Sequence, residues 1–150
     1  MNAESFSIGA DHTRFTGPAV TLPVGYRSLS ARYFHHSLPL ATEVEKARRD
    51  IDKAIRAAPQ LHNSTLRFNC ADHFLKEIAS VAGESARLTR QNIEQVFNRV
   101  AAVAAGSQRL PGEFPTDGEF IGYLLILRTL SEQLNIQDIR LTLKRPDFAI

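Results

Sequence analysis

Two Asp-His pairs, Asp11-His12 and Asp72-His73, are the residues of this chain whose types best suit chemistry. A carboxylate and a neutral imidazole are both standard ligands for divalent metals, so four such side chains converging on one point would make a site. Each pair also falls at a turn or a helix start, where aspartate commonly serves as a cap, and that use is the commoner one. Cys70 stands three positions before His73, one helical turn, and a thiol nucleophile needs a base nearby. The competing reading of Cys70 is a small buried residue after an apolar strand. His35-His36 close an apolar helix before Pro39, where a cation complements the helix dipole. No Walker loop, G-x-S-x-G, H-E-x-x-H or RNA-binding aromatic signature occurs.

The composition sets the background for these residues. A chain of 150 residues, 43% hydrophobic and 23% charged, suits one globular domain over 1–150 with a sizeable core. The net charge of +2, from 18 basic and 16 acidic residues, is too small and too evenly mixed to predict a nucleic acid or a membrane surface. A single cysteine excludes an internal disulfide and a cysteine-based zinc site. The N-terminus has no basic segment followed by an apolar run, and no apolar stretch reaches the ~18 residues of a membrane span. The expected location is the cytoplasm.

The elements that must position these residues follow from periodicity. Ser5 to Ile8, Arg14 to Thr16 and Ala19 to Val24 read as three short antiparallel strands, with a turn signal at Gly17-Pro18. Val44, Ala47, Ile51, Ala54, Ile55 and Ala58 recur at helical spacing until Pro59. Thr65 to Phe68 reads as a strand, followed by a helix carrying Phe74, Leu75 and Ile78 that Gly83 terminates. Thr89 is an N-cap for a helix with Ile93, Val96, Phe97, Val100 and Ala104 on its apolar face. Thr116 and Glu119 predict a capping box opening a helix that is apolar nearly all round, ended by Asn135. Ile139, Leu141 and Leu143 alternate as a last strand. The order predicts a mixed five-stranded sheet, with strands one to three antiparallel and parallel crossovers after them, flanked by helices.

Four segments in order resemble the second domain of the exopolyphosphatase / guanosine pentaphosphate phosphohydrolase family. They are Phe6-Ser7-Ile8-Gly9-Ala10-Asp11-His12-Thr13-Arg14-Phe15, Leu22-Pro23-Val24-Gly25 with the helix from Tyr26 to His35, Arg87-Leu88-Thr89, and Leu110-Pro111-Gly112 through Leu127. The resemblance implies an actin-like (ribonuclease H-like) α/β fold. It also implies a phosphate cleft built from Gly9, Ala10, Asp11, His12 and Thr13 at the first turn and from Asn69, Cys70 and Ala71 at the second. In that fold both turns open on one cleft, which would bring Asp11, His12, Asp72 and His73 together as candidate metal ligands.

The chemistry is altered at each position the family uses. Where the family has D-I-G-G-G-S-T-E, this chain has Ser7-Ile8-Gly9-Ala10-Asp11-His12-Thr13-Arg14, which keeps only Ile8, Gly9 and Thr13. Glycines there let backbone amides approach phosphate oxygens, whereas Asp11 brings a like charge. Asn69-Cys70-Ala71 stands in place of a G-G-T opening a helix, and the arginine of a later loop, expected around Thr116 to Glu119, is missing. The family's first domain supplies the other phosphate loop and the acid that orients the attacking water. The expectation is therefore a lobe without catalytic residues, acting as a binding or regulatory module in a homo-oligomer or with a partner that supplies the missing domain. The alternative is a fragment of an active polyphosphate or guanosine pentaphosphate phosphohydrolase. Polyphosphate or a nucleotide is the ligand the resemblance implies, with magnesium as cofactor by that analogy alone.

Overall fold

Alternation of apolar and polar residues builds the sheet. The computed structural model describes residues 4–16, 19–34, 38–63 and 67–142. In β1 (Glu4–Ile8), β2 (Thr13–Thr16) and β3 (Ala19–Leu22), Phe6, Ile8, Phe15, Val20 and Leu22 are buried while Arg14, Thr16 and Thr21 are exposed. These strands form an antiparallel meander with Phe6 opposite Phe15 and Arg14 opposite Thr21. β4 (Arg67–Cys70), β5 (Arg87–Thr89) and β6 (Asp138–Leu141) complete a six-stranded sheet in the order β3-β2-β1-β4-β6-β5. β4 runs parallel to β1 and to β6, and β5 lies antiparallel on the outer edge of β6.

The five strands expected from sequence become six. Arg87-Leu88-Thr89 is a strand, paired residue for residue with Asp138 to Arg140, and not merely the approach to a helix. Three residues are too few for alternation to register, and the pairing partner arrives about fifty residues later in the chain. The expected strand at Thr65 to Phe68 is found as Arg67–Cys70. Thr65 itself, Gly17-Pro18, His35-His36 and Leu143 lie outside the described residues.

The helices pack around one of their number. They are α1 (Tyr26–Tyr33), α2 (Ala41–Arg56), α3 (His73–Val81), α4 (Arg90–Ala104) and α5 (Gly118–Gln133), with a short 3-10 turn at Pro59–Asn63. Eleven residues of α5 are buried, because α1, α2, α3 and α4 all contact it and β1 lies against it. The helix that is apolar nearly all round in sequence is thus covered within the chain. α1 comes close enough to α5 that a Cβ on Gly122 would stand 2.8 Å from the Tyr26 carbonyl. The cap of α5 is Asp117, which accepts from the Phe120 amide at 2.8 Å, and not Thr116. Two adjacent residues can both cap, and the loop after Pro115 selects the second. α1 ends at Tyr33, two residues before the expected His35. Thr89 caps α4 as expected, accepting from the Asn92 amide at 3.2 Å, and Gly83 closes α3 with φ at 78°.

Candidate functional site

Because β1 and β4 are parallel neighbours, the turns that leave their C-terminal ends lie side by side. These are the two segments that the family resemblance places at a phosphate cleft, with altered residues. One side chain joins them. Asp72 is 4% exposed and stands at the N-cap position of α3, yet its carboxylate caps no amide of that helix. It reaches across to β1 instead. Oδ1 accepts from the Ser7 hydroxyl at 2.6 Å, and Oδ2 accepts from the Ile8 amide at 2.8 Å and from the Tyr123 hydroxyl at 2.8 Å. Three donors converging on a buried carboxylate form an anion cradle, since donors to an ionised acceptor give the stronger hydrogen bonds. The anion in this cradle belongs to the chain itself.

The groups behind Asp72 are held neutral. Cys70, the last residue of β4, is fully buried with Sγ 3.7 Å from the Tyr123 hydroxyl. Burial pushes the Cys70 thiol well up, and the neighbouring Asp72 carboxylate adds to it. Burial likewise raises the Tyr123 phenol, and the Asp72 carboxylate adds to it. A neutral thiol is a poor nucleophile. Its proposed base is turned elsewhere, for the exposed His73 ring meets Glu77 Oε1 at 3.0 Å on the surface of α3.

The first turn directs its polar groups inward to α1. The Gly9 amide donates to the His12 carbonyl at 2.8 Å. The Gly9 carbonyl accepts from the Tyr26 amide at 3.0 Å, and the Ala10 carbonyl from Arg27 at 3.0 Å and Ser28 at 3.2 Å. Those are the first amides of α1, the ones a helix start offers to an anion. Gly25 makes this contact possible, because a Cβ there would lie 2.4 Å from the Ala10 carbonyl group and the Asp11 nitrogen. Asp11 is exposed and accepts from the Ser28 hydroxyl at 2.5 Å. His12 is exposed, while Thr13 is fully buried and donates to the Val24 carbonyl at 2.8 Å. Ala71 is buried, and Asn69 is half-buried between Ser5 and Arg140 in the sheet.

Of the candidate metal ligands, the structure leaves Asp11 on Ser28, His73 on Glu77 and Asp72 on its three donors. Among the described residues no three His, Cys, Asp or Glu side chains are grouped to hold a metal. This donor set does not fit a magnesium ion. Sequence reading missed Ser7 and Tyr123. The signal for Tyr123 was its phenol in an otherwise apolar run, since a buried hydroxyl needs a partner. For Ser7 the signal was only its position, where the resembled family has an acid.

No family model and no curated protein matches the chain by sequence. Solved structures do match. The chain superposes on the Aquifex aeolicus PPX-GPPA enzyme with a TM-score of 0.70 at 12% identity, over 93% of this chain and 52% of that one. The type II variant of the Aquifex aeolicus Ppx/GppA phosphatase gives 0.70 at 13% identity, covering 93% and 52%. An exopolyphosphatase-like protein gives 0.65 at 13% identity, covering 95% and 54%. The chain spans about half the length of these structures. Its six-stranded mixed sheet with packed helices is therefore the actin-like α/β fold, as it occurs within roughly half of a Ppx/GppA phosphatase.

Proposed function

We propose that this chain is a catalytically silent, cytoplasmic relative of one lobe of the exopolyphosphatases, serving as a binding or regulatory module. The observation that carries this reading is the Asp72 carboxylate held by Ser7, Ile8 and Tyr123 between the two turns. A phosphate coming to those donors would have to displace a tethered carboxylate, whose effective concentration exceeds that of a free ligand. It would also meet like charge from Asp72 and Asp11. The first amides of α1 are already used by Gly9 and Ala10. A two-lobed phosphatase closes both lobes on its substrate, and one lobe cannot close alone. The partner is a second copy or a chain supplying the other lobe, a reading supported by the match to only 52% of the Aquifex aeolicus enzyme.

The same half-length match favours a second reading, a fragment of an active polyphosphate or guanosine pentaphosphate phosphohydrolase. The two readings separate in one assay. The full chain is incubated with polyphosphate, and separately with guanosine pentaphosphate, in magnesium buffer, and released phosphate is measured. The expected release equals the protein-free blank. Turnover that disappears in Ser7→Ala would overturn the silent-lobe reading.

A further inference from the structure

Helices α2, α4 and α5 enclose an apolar groove of about 470 Å³. Val44 and Phe97 form its walls, and Ile121, Leu124 and Leu125 lie along its floor. Leu40 stands at its lip with 51% of its surface exposed; among the described residues only Leu110 is another large apolar side chain so exposed. Leu40 is also the residue from which α2 starts, and its side chain has no oxygen to accept from the first amides of that helix. Ala41 and Thr42 beside it are exposed, so the positive end of the α2 dipole lies at the surface without a side-chain cap. The Glu43 carboxylate is engaged by the Leu40 amide at 2.8 Å. One turn into α2, Glu45 lines the same groove, exposed and with no ion pair or hydrogen bond among the described residues. The arginines at that end are matched elsewhere, Arg48 by Glu132 at 3.3 Å and Arg128 by Glu94 at 3.1 Å.

We propose that a second copy of the chain docks on this face, with the two α2 helices antiparallel about a twofold axis. Such an interface has to be self-complementary, because whatever one copy offers the other must receive. This face holds both halves of two matches. Leu40 is an apolar knob beside an apolar groove, and Glu45 is an unpaired carboxylate beside an uncapped helix start. An axis passing α2 between Thr42 and Glu43 sets Leu40 opposite Glu45 of the second copy, and Ala41 opposite Val44 of the second copy. Each Leu40 then enters the other groove, and each Glu45 reaches the positive end of the other α2, where a carboxylate is stabilising. A foreign helix laid in the groove accounts for the groove alone. It leaves Leu40 in water and the start of α2 uncapped, whereas a second copy uses all four features at once. The inference deepens the second-copy form of the silent-lobe reading and rests on it for its partner.

Sedimentation equilibrium of the full chain tests this interface. The parent is expected to be a dimer at high micromolar concentration and to dissociate on dilution. Leu40→Asp removes the knob and sets a carboxylate opposite Glu45, while Ala101→Phe fills the groove from an exposed position on α4. Either change leaves two leucines unburied and should weaken the dimer at least about 100-fold. Glu45→Gln should weaken it about fivefold. Leu40→Asp also supplies α2 with a capping carboxylate, so the dilute monomer should melt at a higher temperature than the parent monomer, which shows that the fold is intact. A parent that is monomeric at high micromolar concentration, or a dimer that survives either Leu40→Asp or Ala101→Phe, would overturn the interface. A monomeric parent that binds a hydrophobic dye, and loses it in Ala101→Phe, would assign the groove to a different partner. Phosphate release by the parent sinks the silent-lobe reading and leaves the dimer standing, whereas a dimer that survives Leu40→Asp sinks this interface alone.

Discussion

Asp72 shows how one residue can change the meaning of a fold. As an N-cap it would cost about 1 kcal/mol to remove. As the acceptor for three donors it carries more, because its loss leaves the Ser7 hydroxyl, the Ile8 amide and the Tyr123 hydroxyl without their acceptor. Asp72→Ala is therefore expected to lower stability by about 3 kcal/mol or more, and Tyr123→Phe by only about 1 kcal/mol, in urea denaturation. Equal small effects would mean the carboxylate is a solvated cap. Glu113 offers a residue-scale prediction in pH. The Arg99 guanidinium, with the Leu110 amide after it, holds the Glu113 carboxyl down from 4.5 to about 2. Since the folded value lies below the unfolded one, this contribution is present above about pH 4.5 and is lost as pH falls toward about 2. Glu113→Gln should flatten the fall in melting temperature across that window, while leaving the slope above it unchanged.

At the scale of elements, the site depends on how closely α1 approaches its neighbours. Gly25 lets the first turn rest its carbonyls on the start of α1, and Gly122 lets α5 cross under Tyr26. A methyl group at either position meets backbone, which cannot move aside as a side chain can. Gly25→Ala is expected to cost at least roughly 2 kcal/mol, at the upper part of the range for overpacking. An unchanged melting temperature would show that turn and helix separate freely. The same contact engages the start of the helix. Its first amides donate to the turn that stands where the resembled family holds phosphate.

For the whole molecule, association is the property that separates a module from a complete enzyme. Most of α5 is covered by its own chain, with Ile121, Leu124 and Leu125 left at the floor of a groove. Association would use a surface such as this groove, about 470 Å³ between α2 and α4, where Val44 and Phe97 flank Leu124 of α5. Light scattering at high micromolar concentration is expected to give a mass near twice 16.7 kDa, and a sharp monomer would sink the second-copy reading.

The sequence by itself determined the elements and the class of fold. Helical spacing in α2 and α4, strand alternation in β1 to β3, and the caps at Thr89 and Gly83 are all local features written within a few residues. It also carried the loss of the family's glycines, since composition at Ala10 and Asp11 is read directly. What tertiary structure decided was pairing between distant positions. β5 exists because β6 arrives beside it, and Asp72 leaves its helix because Ser7, Ile8 and Tyr123 meet it there. Periodicity reports which way a side chain faces, but only the folded chain brings its partners, from 51 and 65 residues away, to meet it.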